Sequence, residues 1–138
     1  MNASDFEPCR GCACLNLRKA SRSVTQHYEA HFRGSELRAT QFTLLAVLVQ
    51  TGPMPMTQLA RMLGMERTTL TRNLALLERK GFIKLSGDDD ARVRLVEITP
   101  SGKTAAARGL VIWKRAQAGV GAVLAGLDLD WLRAAAIP

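Results

Sequence analysis

Two leucine-bearing segments of helical period, separated by one glycine turn and followed by two short β-branched runs, restrict this 138-residue chain more than any other feature. Leu59, Ala60 and Leu63 recur at helical steps behind Thr57, whose hydroxyl suits a helix N-cap, so a helix is expected from Thr57 to about Leu63. Gly64 follows, where a left-handed residue closes a helix without steric cost. Leu70, Leu74 and Leu77 then mark one face of a second helix, about Arg67 to Lys80, stopped by Gly81. Phe82 to Leu85 and Val93 to Ile98 read as short strands, joined by the polar run Ser86, Gly87, Asp88, Asp89, Asp90, Ala91, Arg92.

Helix, tight turn, helix, strand, loop, strand is the order of a winged helix-turn-helix. The fold class expected is therefore mainly α with a small β-hairpin wing. A helix fits the major groove of B-DNA, and a second helix packed across it fixes its angle. With its leucines turned inward, the second helix shows Arg67, Thr68, Thr71 and Arg72 on the opposite side, flanked by Thr69 and Asn73. Hydroxyls and guanidinium groups suit base edges and phosphates, and none of these residues is acidic. Thr57 and Arg94 complete the candidate DNA-binding set. Asp88, Asp89 and Asp90 would repel phosphates, but one carboxylate bracing Arg92 would leave that guanidinium aimed outward, so Asp90 is assigned a wing-bracing role and Arg92 the groove contact. A solvated amphipathic helix and an ordinary charged hairpin are the bland alternatives. Net charge does not choose between them, because residues 61–94 hold eight basic and five acidic groups.

The rest of the chain frames this unit. Residues 1–12, with Pro8 and Gly11, read as a flexible leader. A helix is expected from about Cys14 to Phe32, and an apolar, buried one from about Thr40 to Gln50. Beyond Pro100 a long helix should run to about Gly126, with Gly119 and Gly121 as close-packing positions, followed by a short helix from about Asp128 to Ala136. Trp113, Ala116, Val120, Leu124 and Leu127 form a stripe with no evident partner in one small lobe, which predicts packing against a second subunit. A net charge of +7 favours a polyanionic partner. The N-terminal residues do not read as a secretory signal, the longest apolar run is too short to span a bilayer, and a cytoplasmic protein without membrane contact is expected.

The runs "TQFTLLAVL", "MTQLARMLGMERTTLTRNLALLERKGFIKL" and "DDDARVRLVEITPSG" together resemble the multiple-antibiotic-resistance regulator (MarR) family over nearly the whole chain. The resemblance implies a homodimeric regulator of transcription that binds a near-palindromic operator in double-stranded DNA, acts as a repressor and is released by a small-molecule effector or an oxidant. It implies a domain plan of an N-terminal dimerisation helix at 13–36, a winged helix-turn-helix DNA-binding domain at 37–99 and C-terminal dimerisation helices at 100–138. By position, Arg67 to Asn73 is the recognition segment, Asp90 and Arg92 are the wing's Asp-x-Arg, and Ile98, Thr99 and Gly102 close the motif. Glu66 stands where a shorter capping residue is commoner. The alternative from another class is a winged-helix module that binds protein and not DNA, which an acidic recognition helix would have favoured.

Cys9, Cys12 and Cys14 are too close together to form a framework of paired disulfides, and zinc would want a fourth ligand from elsewhere. His27 and His31 share a helix face and could take a metal with Glu29 or Glu36, or lie on a solvated surface. No metal or cofactor is expected. The segment "CLNLRKAS" resembles the reactive-cysteine segment of the organic-hydroperoxide-sensing branch of the same family, which makes Cys14 a redox-sensor candidate, with Arg18 one turn away. Tyr28 falls where that branch carries a tyrosine hydrogen-bonded to the cysteine, while Ala39 stands in place of a second such tyrosine. The plain alternative is that Cys14 is a packed residue. Neither a metalloprotease, phosphate-loop nor nucleophile-elbow motif occurs, so no catalytic residues are assigned and the chain is not expected to be an enzyme.

Overall fold

The computed structural model describes residues 1–87 and 94–125. A 3-10 helix, Ala3–Gly11, precedes α1 (Ala13–Phe32), α2 (Ala39–Thr51), β1 (Met54–Pro55), α3 (Met56–Leu63), α4 (Arg67–Arg79), β2 (Ile83–Ser86), β3 (Leu95–Ile98) and α5 (Pro100–Val123). The order is the mainly helical one with a small sheet, as the leucine and strand patterns require.

The core lies where α2, α3, α4, the sheet and the first half of α5 converge. Leu44, Leu45, Leu48, Leu59, Leu70, Leu74, Leu77, Ile83 and Val96 are fully buried in it. At roughly 1.5–3 kcal/mol per buried aliphatic side chain, these residues dominate the stability of the lobe. Gln41 is buried with them, and its side-chain oxygen accepts the Arg38 amide at 3.1 Å, which caps α2 from inside. Gly64 closes α3 in the left-handed region (φ 57°), the expected conformation, and fixes the tight turn into α4.

The sheet has a strand that sequence reading missed. Its order is β1-β3-β2, all antiparallel, with Met54 opposite Val96 and Ile83 opposite Ile98. Met54 and Pro55 are too short a run for a periodicity signal, and Pro53 and Pro55 read as punctuation. The same pairing overturns the cap expected at Thr57. The Met56 amide donates to the Arg94 carbonyl at 3.0 Å, so α3 starts at Met56, Pro55 takes the N-cap position, and Thr57 sits inside the first turn.

Two further expectations change. The leader is a 3-10 helix over Ala3–Gly11, its start held by the Asn2 amide on Asp5, with every side chain exposed. The stripe on α5 is largely covered within the chain: Ala116 and Val120 are buried where α1 packs antiparallel along α5. His27 Nε2 lies 2.8 Å from the Ala116 carbonyl, and the Tyr28 hydroxyl donates to Gln117. Trp113 packs against the core beside Phe42, with ring centroids 6.4 Å apart. Leu127 and the short helix expected from Asp128 lie outside the described residues.

Close packing along α5 falls on Gly119, as expected, and also on two glycines that sequence reading did not single out. A Cβ on Gly102 would stand 2.0 Å from the Phe82 carbonyl oxygen, and one on Gly109 would stand 2.6 Å from the Phe42 ring. A Cβ on Gly119 would press on the His27 ring at 3.3 Å, whereas Gly121 meets nothing within 4 Å and is not a close-packing position. Glycine is needed at the first half of α5 because that half lies directly on the strand turn and on α2.

Candidate nucleic-acid interface

The turn between α3 and α4 sets the interface. Leu59 from α3 and Leu70, Leu74 and Leu77 from α4 enter one core, which leaves the opposite side of α4 outside the lobe. Arg67, Thr68, Thr69, Thr71 and Arg72 are all exposed there. The Thr71 hydroxyl donates to the Arg67 carbonyl at 2.8 Å and the Asn73 amide to Thr69 at 3.0 Å. Such bonds to the preceding turn hold the side chains against the helix while leaving their remaining lone pairs outward. Asn73 is half-buried, at the edge of this face.

The first turn of α4 has no side-chain cap from Glu66, so its leading amides stay open. Beside it lies a shallow groove lined by Thr57, Ala60, Arg61, Gly64, Met65, Glu66 and Arg67. Arg61 is the residue missed by sequence reasoning. It lies four residues after Thr57 on the same face of α3, a spacing that could have found it. Two guanidinium groups and the positive end of a helix dipole outweigh one exposed carboxylate here, so the groove is suited to an anion such as a phosphate.

On the sheet, Arg94 is half-buried, and its Nε is enclosed with no hydrogen-bond partner among the described residues. The bracing pair Asp90 and Arg92, at the wing tip, lies outside the described residues.

A second feature stands behind the interface. A cavity of about 290 Å³ is walled by Val24, Tyr28, Phe32, Ala39, Leu63, Met65 and Trp113, with Thr25, Thr40 and Thr43 contributing hydroxyls. It joins α1 and α5 to the α3–α4 turn itself. Its walls carry no charged side chain, and burial pushes the Tyr28 phenol above its ordinary pKa, keeping it neutral. On the far side of the lobe, the Lys80 ammonium donates to the Glu36 carbonyl, and Arg108 meets the Glu36 carboxylate at 2.5 Å.

The three cysteines are exposed and free within the single chain, and Cys14 lies in the first turn of α1. Arg18 Nη2 lies 3.8 Å from the Cys14 sulfur. Tyr28 stands fourteen residues along the same helix, roughly 21 Å away, and is committed to Gln117. His31 is tied to the His27 carbonyl at 2.9 Å, and among the described residues no three Cys, His, Asp or Glu side chains converge as a ready metal site. No described helix is long and apolar enough to cross a membrane.

Comparison with known proteins bears on the same surfaces. Residues 37–93 match the model of the MarR family. The transcriptional regulator MosR of Mycobacterium tuberculosis is 34% identical, with 94% of this chain and 90% of that chain covered and a TM-score of 0.76. A structure of MosR in complex with DNA gives 37% identity, 89% and 90% coverage and a TM-score of 0.74. MarR of E. coli, at 17% identity, 91% and 97% coverage and a TM-score of 0.67, shares the fold. No curated protein sequence matches. The order of the elements, the family match across the winged lobe and the likeness to MosR over nearly its whole length agree: the chain belongs to the MarR family of transcriptional regulators, not to an enzyme family.

Proposed function

We propose that this chain works as a cytoplasmic homodimer that binds a near-palindromic operator in duplex DNA and represses transcription until a small ligand releases it. The observation that carries the reading is the exposed, wholly non-acidic face of α4, Arg67 to Arg72, held rigid by three buried leucines and crossed by α3. That face would enter the major groove, with Arg72 near a base edge. The groove at Arg61 and Arg67 would take a phosphate, and the wing with Arg92 would reach the minor groove or backbone. The DNA complex of the 37% identical MosR supports DNA as the partner. The ligand would occupy the cavity between α1, α5 and the α3–α4 turn, where a bound molecule would push on the turn that sets the angle of α4.

Selection of bound sequences from a random duplex pool should return a site with two related halves, one for each subunit. On that site Arg72→Ala should cost about 1–3 kcal/mol of specific binding and relax the preference at one position per half-site. Arg92→Ala should instead weaken binding evenly across sequences and flatten the salt dependence. If both variants bind as the parent protein does, with unchanged salt slopes, the assignment of helix and wing is wrong.

A second mode of release rests on Cys14, which is exposed, in the first turn of α1 and beside Arg18. Cys14→Ser should keep DNA affinity and lose the release by organic hydroperoxide. Parent protein that holds DNA under the oxidant removes this mode.

A further inference from the structure

The hydrogen bonds already made in the walls of the cavity behind the interface decide what it can take. Its volume of about 290 Å³ lies at the lower end of the range for small-molecule sites, which is room for one substituted ring. Phe32, Tyr28 and Trp113 give it an aromatic lining. The polar groups are hydroxyls, and most have committed their protons. Thr25 donates to the Ser21 carbonyl at 2.9 Å and Thr43 to the Ala39 carbonyl at 3.1 Å, while the Tyr28 hydroxyl donates to Gln117. A hydroxyl has one proton and two lone pairs, so these three oxygens meet any further partner as acceptors. Thr40 is the one hydroxyl of the wall without such a bond among the described residues.

We propose that the cavity selects an uncharged molecule that donates a hydrogen bond, a phenol or alcohol on a compact apolar body, and rejects a carboxylate of the same shape. The proposal rests on the reading above that this cavity is the effector site, and it names the chemistry of the effector. A donated O–H pairs with a threonine or tyrosine oxygen that a purely apolar ligand would leave desolvated. A carboxylate is acceptor-only, and it would enter a wall of acceptors without the cation or N–H donors that an enclosed anion needs. Arg38, at the N-cap of α2, does not supply that cation. The Glu29 carboxylate lies 3.9 Å from its Nε, so it competes with a second anion for the guanidinium and repels it.

The probes are p-ethylphenol, its methyl ether p-ethylanisole and p-ethylbenzoate, which share a shape and differ in the polar group. At neutral pH the phenol is uncharged, with a pKa of about 10 as for tyrosine, and the benzoate is ionised. Each is titrated calorimetrically into the full chain, and then into the chain bound to its selected operator. The phenol should bind about three- to tenfold more tightly than the ether, the contribution of one hydrogen bond, and release the operator. The benzoate should bind about tenfold or more weakly than the phenol. The double variant Thr25→Val, Thr43→Val keeps nearly the same side-chain shapes. It should bring the phenol down to the affinity of the ether and leave the ether unchanged, a split that a general disturbance of the wall would not give. Ala39→Leu narrows the cavity and should weaken phenol and ether alike, and circular dichroism checks that both variants are folded. Benzoate or ether binding as tightly as the phenol overturns the proposed class but leaves the cavity as the effector site. A double variant that binds the phenol as the parent does, or Ala39→Leu without effect, overturns the proposal as well. If none of the three probes binds, the cavity fails as an effector site too, while operator titration without any probe tests DNA recognition by itself.

Discussion

At the scale of single residues, the difference between Gly102 and Gly109 turns on what each would strike. A methyl group at Gly102 meets the Phe82 carbonyl oxygen at 2.0 Å, and that oxygen is fixed by the Thr99 amide at 3.0 Å. At Gly109 the obstacle is the Phe42 ring, which can yield. Gly102→Ala should therefore destabilise the protein by about 1–3 kcal/mol, and Gly109→Ala by less. Denaturant unfolding ranks the two, and the reverse order would contradict this packing. Glu36 has a different signature. The hydrogen bond from Arg108 holds its carboxylate below the ordinary value of 4.5. Because its pKa is lower in the folded state, its contribution to stability is present above pH 4.5 and is lost as pH falls through the lowered value. Glu36→Gln should show a shallower loss of melting temperature over that acid range. An identical acid profile would remove Glu36 from the account.

Among the elements, α4 separates fold from function most clearly, because its two faces have unrelated jobs. Leu74 is fully buried, so Leu74→Ala should cost about 2–5 kcal/mol and lower DNA binding only through unfolding. Arg72 is exposed on the other side, so Arg72→Ala should leave the unfolding free energy within about 0.5 kcal/mol of the parent. The start of α5 depends on Thr99, whose side chain accepts the Gly102 amide at 3.1 Å and donates to the Gly81 carbonyl at 2.6 Å. One side chain thus caps α5 and ties it to the end of α4. Thr99→Ala should cost about 1 kcal/mol, with Thr99→Ser restoring most of it. Equal losses in both variants would mean that the methyl group, not the hydroxyl, is what matters.

For the molecule as a whole, the faces left uncovered in one chain point to a second. Leu15 and Leu17 on α1 are 46% and 47% exposed, and Val123 at the end of α5 is 41% exposed. They belong to the ends of α1 and α5 that extend past the winged lobe, where no described residue of the same chain covers them. Light scattering at micromolar concentration should give about twice the 15.1 kDa chain mass. Leu17→Asp should shift the mass toward one chain and weaken operator binding, because half-sites are then no longer linked. A persistent monomer in the parent protein would remove the dimer and the palindromic site together.

Sequence alone determined the winged lobe, because that lobe is written in local signals. Leucine spacing placed α3 and α4, Gly64 placed the turn, and the exposed threonines and arginines of α4 followed from the position of its leucines. Tertiary structure decided what depends on distant partners. The strand Met54–Pro55 exists because β3 is there to pair with it, and the same pairing moved the start of α3 away from Thr57. Arg94 is half-buried, since a residue two positions before buried Val96 points to the same side of the strand. The stripe on α5 was correctly read as apolar, but its partner was misassigned. Periodicity reports that a face must be covered, whereas only the path of α1 showed that this chain itself covers Ala116 and Val120.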